Sequence, residues 1–481
     1  MFNWSELVPA LPEILVLSMA CVVLIAGLFT ERNKGGFIVF LSVITMVFAA
    51  ILTLKDHVAG AQFTSELLFN ETFIRDGFGD MLKMVVYLLM IGVFFYAKQY
   101  LRQQNNLQGE YFALLLFATL GIMVMISGYN FISLYLGLEL LALSSYALVA
   151  YNRNNVKSNE AAMKYFILGA LASGMLLYGM SLIYGAVGTL QLDQISQAIA
   201  SQNNDMFLVL GLIFVIVGIG FKLGAAPFHM WVPDVYEGAP TATTLFIASA
   251  PKIAAFALAV RILGQSLDVL VIHWQSMLAT LAIMSIIVGN LFALQQTNLK
   301  RLFAYSTISH IGFMLLGLVG GEQGVAASMF YIIIYTIMAI GGFGMIVLLS
   351  SKGFEADDIK DFKGLNQRNG WYAFLMLLLV ASMAGFPPLI GFFSKLYVLK
   401  AVIDQGYIWL AVVALIFAVI GAFYYLRIIK VMYFEESETD QAIDVGFDVK
   451  TVLSINALAQ LGLLIVVPVL FQYCIIVTKS L

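Results

Sequence analysis

Cysteine is nearly absent: Cys21 and Cys474 are the two in 481 residues, and they lie at opposite ends of the chain. No CxxC, no Cys/His metal spacing and no disulfide framework can be built from them. The four histidines, His57, His229, His273 and His310, are scattered. The chain is therefore expected to hold no redox centre, metal or cofactor of its own. Charge is scarce as well, at 11% of residues against 61% hydrophobic. A soluble globular domain carries roughly 25% charged residues, so that class is excluded. With no basic stripe, nucleic-acid binding is set aside. No Walker motif occurs and no GxGxxG follows a strand, which leaves ATP-driven chemistry and direct nicotinamide binding without support. The opening MFNWSELVPALPE lacks a basic leader and a convincing cleavage site, and reads as an uncleaved first span.

What the chain has in abundance is apolar runs of about 20 residues, the length a spanning helix requires. Fourteen fall near 11–30, 36–54, 78–97, 111–127, 130–151, 162–187, 206–231, 241–263, 272–294, 302–319, 326–350, 371–399, 406–433 and 452–478. The reading is an all-α polytopic membrane protein of about 14 transmembrane helices, with 1–481 as a single membrane domain. Of the 25 Lys and Arg, sixteen fall in or beside loops that follow odd-numbered spans and five on the opposite side. Positive charge is retained on the inner face, so both termini are expected outside.

Two spans look broken. The seventh contains GIGFKLGAAPFHMW with Pro227, and the twelfth contains MAGFPPLIGFFSK with Pro387 and Pro388. Proline removes a backbone donor and clashes with the preceding turn, and an interruption at depth turns backbone dipoles toward a cavity. The spacing G-x-x-P recurs as Gly224–Pro227 and Gly385–Pro388, five spans apart. Five is odd, so a second five-helix repeat is inverted relative to the first, and paired broken helices mark transport sites. The expected division is three N-terminal helices over 1–110, a first five-helix repeat over 111–264, a second over 271–433 and a last helix over 451–481.

Glu139, Lys222, Lys252 and Lys395 lie inside long apolar stretches. A charge at the centre of a helix costs roughly 2.5–3.5 kcal/mol on translocon scales, so four such groups point to a proton or cation path. Lys222 sits between Gly220 and Gly224, where a local break is easy, and Glu139 is the natural partner carboxylate. The bland alternative is a static ion pair that locks helices together. Lys252 follows Pro251 with no carboxylate nearby, which favours a relay fed by water and by neighbours such as Ser249. Lys395, beyond the second break, is a further loading site or an exit, or else a lysine that snorkels to the interface. His310, in YSTISHIGFM, is either a proton relay or a histidine satisfied by its helix neighbours. Glu13, Asp80 and Lys83 read as charges flanking span ends. The acidic stretch His229–Gly238 reads as a proton-attracting mouth or a subunit contact. The acid-rich 435–450 segment reads as a solvated face or a partner contact.

GFKLGAAPFHMWVPDVYEGAPTATTLFIASAPKIAAF and GNLFALQQTNLKRLFAYSTISHIGFM resemble the antiporter-like membrane subunits of proton-translocating NADH:quinone oxidoreductase, respiratory complex I. PDVYEGAP is similar to the N branch of that family rather than to its L and M sisters, as is a lysine at 395. The resemblance implies inverted repeats with discontinuous helices 7 and 12, and a proton relay through Glu139, Lys222, Lys252 and Lys395. It also implies that NADH, FMN, iron–sulfur clusters and quinone belong to partner subunits in a bacterial inner membrane, where quinone reduction drives the relay. Expected partners are the other membrane subunits, sister antiporter-like subunits among them. A cation/proton antiporter subunit of the multi-subunit sodium/proton type shares the fold and is the rival reading.

Overall fold

The computed structural model describes residues 7–30, 35–58, 65–201, 206–351, 353–437, 446–479 and 481. Thirteen helices among them are long and apolar enough to cross a membrane. The twelfth crossing is split into Gly370–Ala384 and Ile390–Asp404, which brings the crossings to the expected fourteen. The predicted span limits fall within about six residues of the helices, except that the seventh helix ends at Leu223, eight residues before the predicted 231, because its break falls there. Gly128, Tyr129 and Asn130 form the whole link between the fourth (Gly109–Ser127) and fifth (Phe131–Val149) spans. Asn130 makes so short a link possible, because its side chain accepts the Ile132 N–H at 2.8 Å and caps the fifth span.

Close helix approach is arranged alike in the two halves. A Cβ on Gly121 of the fourth span would lie 2.6 Å from the Leu141 backbone nitrogen of the fifth. The ninth (Val271–Leu294) and tenth (Leu299–Val319) spans meet in the same way, with Gly289 against the Ser309 backbone nitrogen at 2.5 Å. Small residues at such crossings let backbones pack without a hydrophobic driving force. The tenth span and the eleventh (Gly321–Leu349) form the centre and are buried nearly all round, so they show no amphipathic stripe.

Three features depart from the sequence reading. The first is a small antiparallel hairpin, Glu66–Leu68 with Phe73–Arg75, added to the helices. It meets the fourth–fifth link through a Phe73–Gly128 bridge, and that link meets the stretch after the sixth span (Val156–Val187) through Asn130–Gln191. Strand pairing thus ties three connections on one face. The second is the eighth span, which runs as Thr241–Ile247, then Ala250–Ala259, then a π-helical Val260–Ser266. Ser249 sits between the first two pieces at φ −117°, ψ −96°, and Pro251 in the next turn offers no N–H to continue the ladder.

The third concerns the charges read as flanking. Lys83 is buried and pairs with Glu13 at 2.6 Å. Arg75 pairs with Asp80 at 3.3 Å. Arg261, fully buried in the π-helical segment, grips Asp76 through two hydrogen bonds of 2.6 and 2.8 Å. Three acids and three bases therefore lie inside the protein along span 3, which meets span 1 through Glu13–Lys83 and span 8 through Asp76–Arg261. Arg75 and Asp80 are five residues apart, but single-sequence spacing could not reveal the other two pairs, whose partners come from different segments.

Of the acid-rich 435–450 segment, 438–445 lie outside the described residues. At its far end Asp448 pairs with Lys98 at 2.6 Å.

Candidate functional site

The two breaks are built to one plan. In the seventh span the helix Met206–Leu223 ends at Gly224, φ +81°, whose N–H closes on Gly220 O and Phe221 O. In the twelfth, Gly385 at φ +88° closes on Ala381 O and Ser382 O. Glycine enters this left-handed conformation without the Cβ penalty, which is why it terminates helices. A serine then takes up an N–H beyond each break. Ala226 N–H donates to Ser285 Oγ of the ninth span at 2.8 Å, and Gly391 N–H donates to Ser382 Oγ at 3.1 Å. The chain resumes as Trp231–Gly238 in the first case and Ile390–Asp404 in the second.

Each broken helix leaves carbonyls open at its C-terminal end, and a lysine fills that end. Lys252 Nζ donates to Leu223 O at 2.9 Å. Lys395 Nζ donates to Ala384 O at 2.8 Å and to Met383 O at 3.2 Å. A helix C-terminus carries roughly half a negative charge, so it receives an ammonium without a carboxylate. Each amine also stands over an aromatic face, Trp231 at 5.0 Å and Phe313 at 5.4 Å from the ring centroids. Lys395 therefore does not snorkel; it turns back toward its own break. The Ser249 hydroxyl does not bond the Lys252 amine; it bonds back to Leu245 O and Phe246 O, and Ser249 meets Lys252 through the backbone, its O accepting the Lys252 N–H at 2.9 Å.

Lys222 and Lys252 line one cavity of about 30 Å³, with Tyr165 and Trp231 in its wall. A water needs roughly 10–15 Å³ measured this way and two or more polar partners, so the space takes one or two. Lys222 Nζ donates to Ser173 Oγ of the sixth span at 3.0 Å. It makes no direct ion pair with Glu139, whose Oε1 is buried without a hydrogen-bond partner. A static Glu139–Lys222 lock is thus not what holds these helices. Glu139 instead occupies the side of the fifth span that also exposes Leu136 and Leu143.

His310 and Lys395 line a second cavity of about 10 Å³ together with Asn290 and Tyr425. His310 Nδ1 is 2.7 Å from the Tyr331 hydroxyl and Nε2 is 3.2 Å from that of Tyr425. Tyr425 continues to Ser306 Oγ. The His310 ring also packs 5.1 Å from Tyr335, whose hydroxyl donates to Thr307 Oγ1 at 2.8 Å. Tyr236 lies beside Thr307 and Tyr335 and 6.4 Å from Trp231, on the side of the first cavity. Hydroxyl-bearing residues thus stand between the two lysine cavities.

The stretch His229–Gly238 is no bare acidic mouth. Asp234 pairs with Lys164 at 2.8 Å and Arg301 at 2.7 Å, and Glu237 pairs with Arg301 at 3.1 Å. The acids are absorbed by ion pairs within the chain.

Known proteins arranged like this decide the lineage. The family described as NADH:quinone oxidoreductase/Mrp antiporter, TM matches residues 128–421. NADH-quinone oxidoreductase subunit N of Thioalkalivibrio sulfidiphilus is 51% identical over 473 residues, covering 98% of this chain and 97% of that one. The chain belongs to the family of NADH-quinone oxidoreductase subunit N. A chain of the respiratory complex I of Thermus thermophilus, solved with bound aureothin, superposes with a TM-score of 0.81 at 27% identity over 96% of this chain and 98% of its own. A chain of the Mrp complex from Dietzia sp. superposes at 0.85 with 20% identity, covering 100% and 98%. The second likeness concerns the fold, which the rival antiporter reading shares. The near-complete 51% match is what separates the subunit N family from it.

Several residues of this site escaped the sequence reading. Ser173, Ser285 and Ser382 carry no local signal, because polar residues of this size are common in membrane helices. Tyr331 and Tyr335 sit four residues apart, the spacing of one helix face, and that spacing was the available hint that they act together with His310.

Proposed function

We propose that this chain is a proton-translocating, non-redox subunit of an NADH:quinone oxidoreductase. Protons move through Lys222, Lys252, His310 and Lys395, with Glu139 acting on Lys222 through space. NADH, FMN, iron–sulfur clusters and quinone belong to partner subunits, and quinone reduction there drives the relay. The five-helix units 111–264 and 271–433 each supply one lysine-filled break, 1–110 adds three helices and 451–481 the last. The chain lies in a bacterial inner membrane beside sister antiporter-like subunits, with both termini on the outer face.

The observation that carries this reading is the cavity of about 30 Å³ shared by Lys222 and Lys252. Two amines that face one water-sized space exchange a proton through a single bridging molecule. The arrival of one ammonium raises the cost of holding the other, so loading and release alternate. The break carbonyls at Lys252 and Lys395, and the Ser173 hydroxyl at Lys222, make each amine a stable stopping point without a fixed counter-ion, and so without a permanent charge state.

The test uses inverted membrane vesicles holding the assembled complex. Lys222→Ala and Lys252→Ala should depress NADH-driven proton uptake, and Glu139→Gln should weaken it. Lys98→Ala, on the surface, should leave it normal. Normal uptake in both lysine variants, with assembly intact, removes the relay. Dependence of uptake on a sodium gradient would favour the antiporter type instead.

A further inference from the structure

A vestibule of about 910 Å³ opens on the Lys/Arg-rich face, between the links that follow spans three, five and seven. Its wall is polar, with Gln104, Asn105, Asn152 and Asn154 among the lining residues. At its floor Tyr100 donates a hydrogen bond to Glu355 Oε1. Pro240 lines the floor too, and its neighbour Thr241 donates to Glu355 Oε2 at 3.4 Å. Beneath them Lys300 Nζ pairs with the same oxygen at 3.1 Å and donates to Ala239 O at 3.2 Å. The Lys300 side chain is 2% exposed, whereas that of Glu355 keeps 30% of its surface. Glu355 is thus partly exposed, joined to the vestibule wall through Tyr100, and faces a buried ammonium on its other side.

The first piece of the eighth span, Thr241–Ile247, starts at this floor. Its far end, Ile247, lines the cavity of Lys222 and Lys252. Seven residues at ~1.5 Å each span about 10 Å. Along that piece Thr243 Oγ1 lies 3.0 Å from the Tyr111 hydroxyl, and Thr244 Oγ1 donates to Tyr236 O at 2.9 Å.

We infer that this vestibule is the aqueous uptake port of the proton relay, and that Glu355 is the group that receives each proton from water. The inference rests on the relay proposed above. A proton from a hydronium neutralises the Glu355 carboxylate, and water is left behind. The Lys300 ammonium then has no counter-ion, which drives the proton off again. It leaves inward along the hydroxyls of Thr241 and Thr243, and Glu355 returns to its ionised form. A purely mechanical clamp between helices 3, 8 and 10 has no use for a carboxylate left partly exposed and joined by Tyr100 to an open vestibule.

The test follows NADH-driven membrane potential in inverted vesicles, whose outer surface presents this face, with and without added formate. Glu355→Gln should generate potential several-fold more slowly. Formate, small enough to enter the vestibule, should restore much of the rate, and Glu355→Asp should keep most of it. Lys252→Ala should be slow and unrescued. A normal Glu355→Gln beside a defective Lys252→Ala overturns the port while the relay stands. Normal rates in both remove the relay itself. A slow Glu355→Gln that neither formate nor aspartate restores makes Glu355 a clamp and overturns the port. Should Glu355→Gln fail to assemble, Asn152→Cys labelled after assembly with a bulky maleimide plugs the vestibule. It must run several-fold slower than the same variant before labelling, and an unchanged rate overturns the port.

Discussion

Replacing Lys252 by Met separates a working amine from a structural one, because a strut would show in assembly and a relay in proton uptake. Met keeps the length and the packing of the stem but removes the charge. Its effect on stability can be worked from one cost and two contacts. Holding an ammonium at this depth costs roughly 2.5–3.5 kcal/mol. The bond to Leu223 O at 2.9 Å returns about 1.5–3 kcal/mol, as hydrogen bonds to charged groups do. The Trp231 face at 5.0 Å adds about 1 kcal/mol. The sum is close to zero, so Lys252→Met should assemble in wild-type amounts on native gels. Its complex should dissociate within a few degrees of the wild-type temperature. NADH-driven proton uptake by vesicles, normalised to assembled complex, should nevertheless fall sharply. Loss of assembly would show that the amine is a strut. Normal assembly with normal uptake would show that it is neither strut nor relay, and the reasoning from buried charge to function would fail.

The second break offers a backbone test. Gly385→Ala forces an L-residue into φ +88° and sets a Cβ 3.0 Å from Lys395 Cδ; it should cost about 1–2 kcal/mol and reduce pumping, measured as assembled complex and uptake per complex. Asp76→Ala leaves Arg261 buried and unpaired, and breaking such a pair costs ~3–5 kcal/mol, so assembled subunit should drop markedly in pulse-chase, while Lys98→Ala, which removes a half-exposed pair with Asp448, should not be detectable. The last test is pH. Burial alone would lift the Glu355 carboxyl, but the Lys300 charge and the hydrogen bonds from Tyr100, Lys300 and Thr241 outweigh it and hold it below its ordinary value of 4.5. Its contribution to stability is therefore complete above that value and lost as pH falls below it. Thermal dissociation should drop more steeply below pH 4.5 in the wild type than in Glu355→Gln; parallel curves would contradict the sign.

The contrast between what the chain discloses in one dimension and what needs three has a physical basis. Span number and span limits were legible because a bilayer imposes one length on every crossing, and no soluble fold constrains its elements so uniformly. The matched breaks were legible because Gly224–Pro227 and Gly385–Pro388 are local chemistry: a left-handed residue and a missing donor act within one turn. The lysines stood out because their cost is paid wherever they sit. Partners were not legible, since a partner is a property of two segments. Glu139 looked like the counter-ion of Lys222, as the nearest unexplained carboxylate would; the fold gives Lys222 the hydroxyl of Ser173 instead. The same logic misplaced Glu13, Asp80 and Lys83, whose positions near helix ends suggested solvent although tertiary packing encloses them. The lesson for the relay is specific. Had each lysine met a carboxylate, charge pairing alone would explain its burial and no function would be needed. Lys252 and Lys395 meet helix-end carbonyls, which accept a hydrogen bond from the neutral amine as well as from the ammonium. A neutral partner of that kind, like the Ser173 hydroxyl at Lys222, lets a buried amine change protonation state without dismantling the site around it.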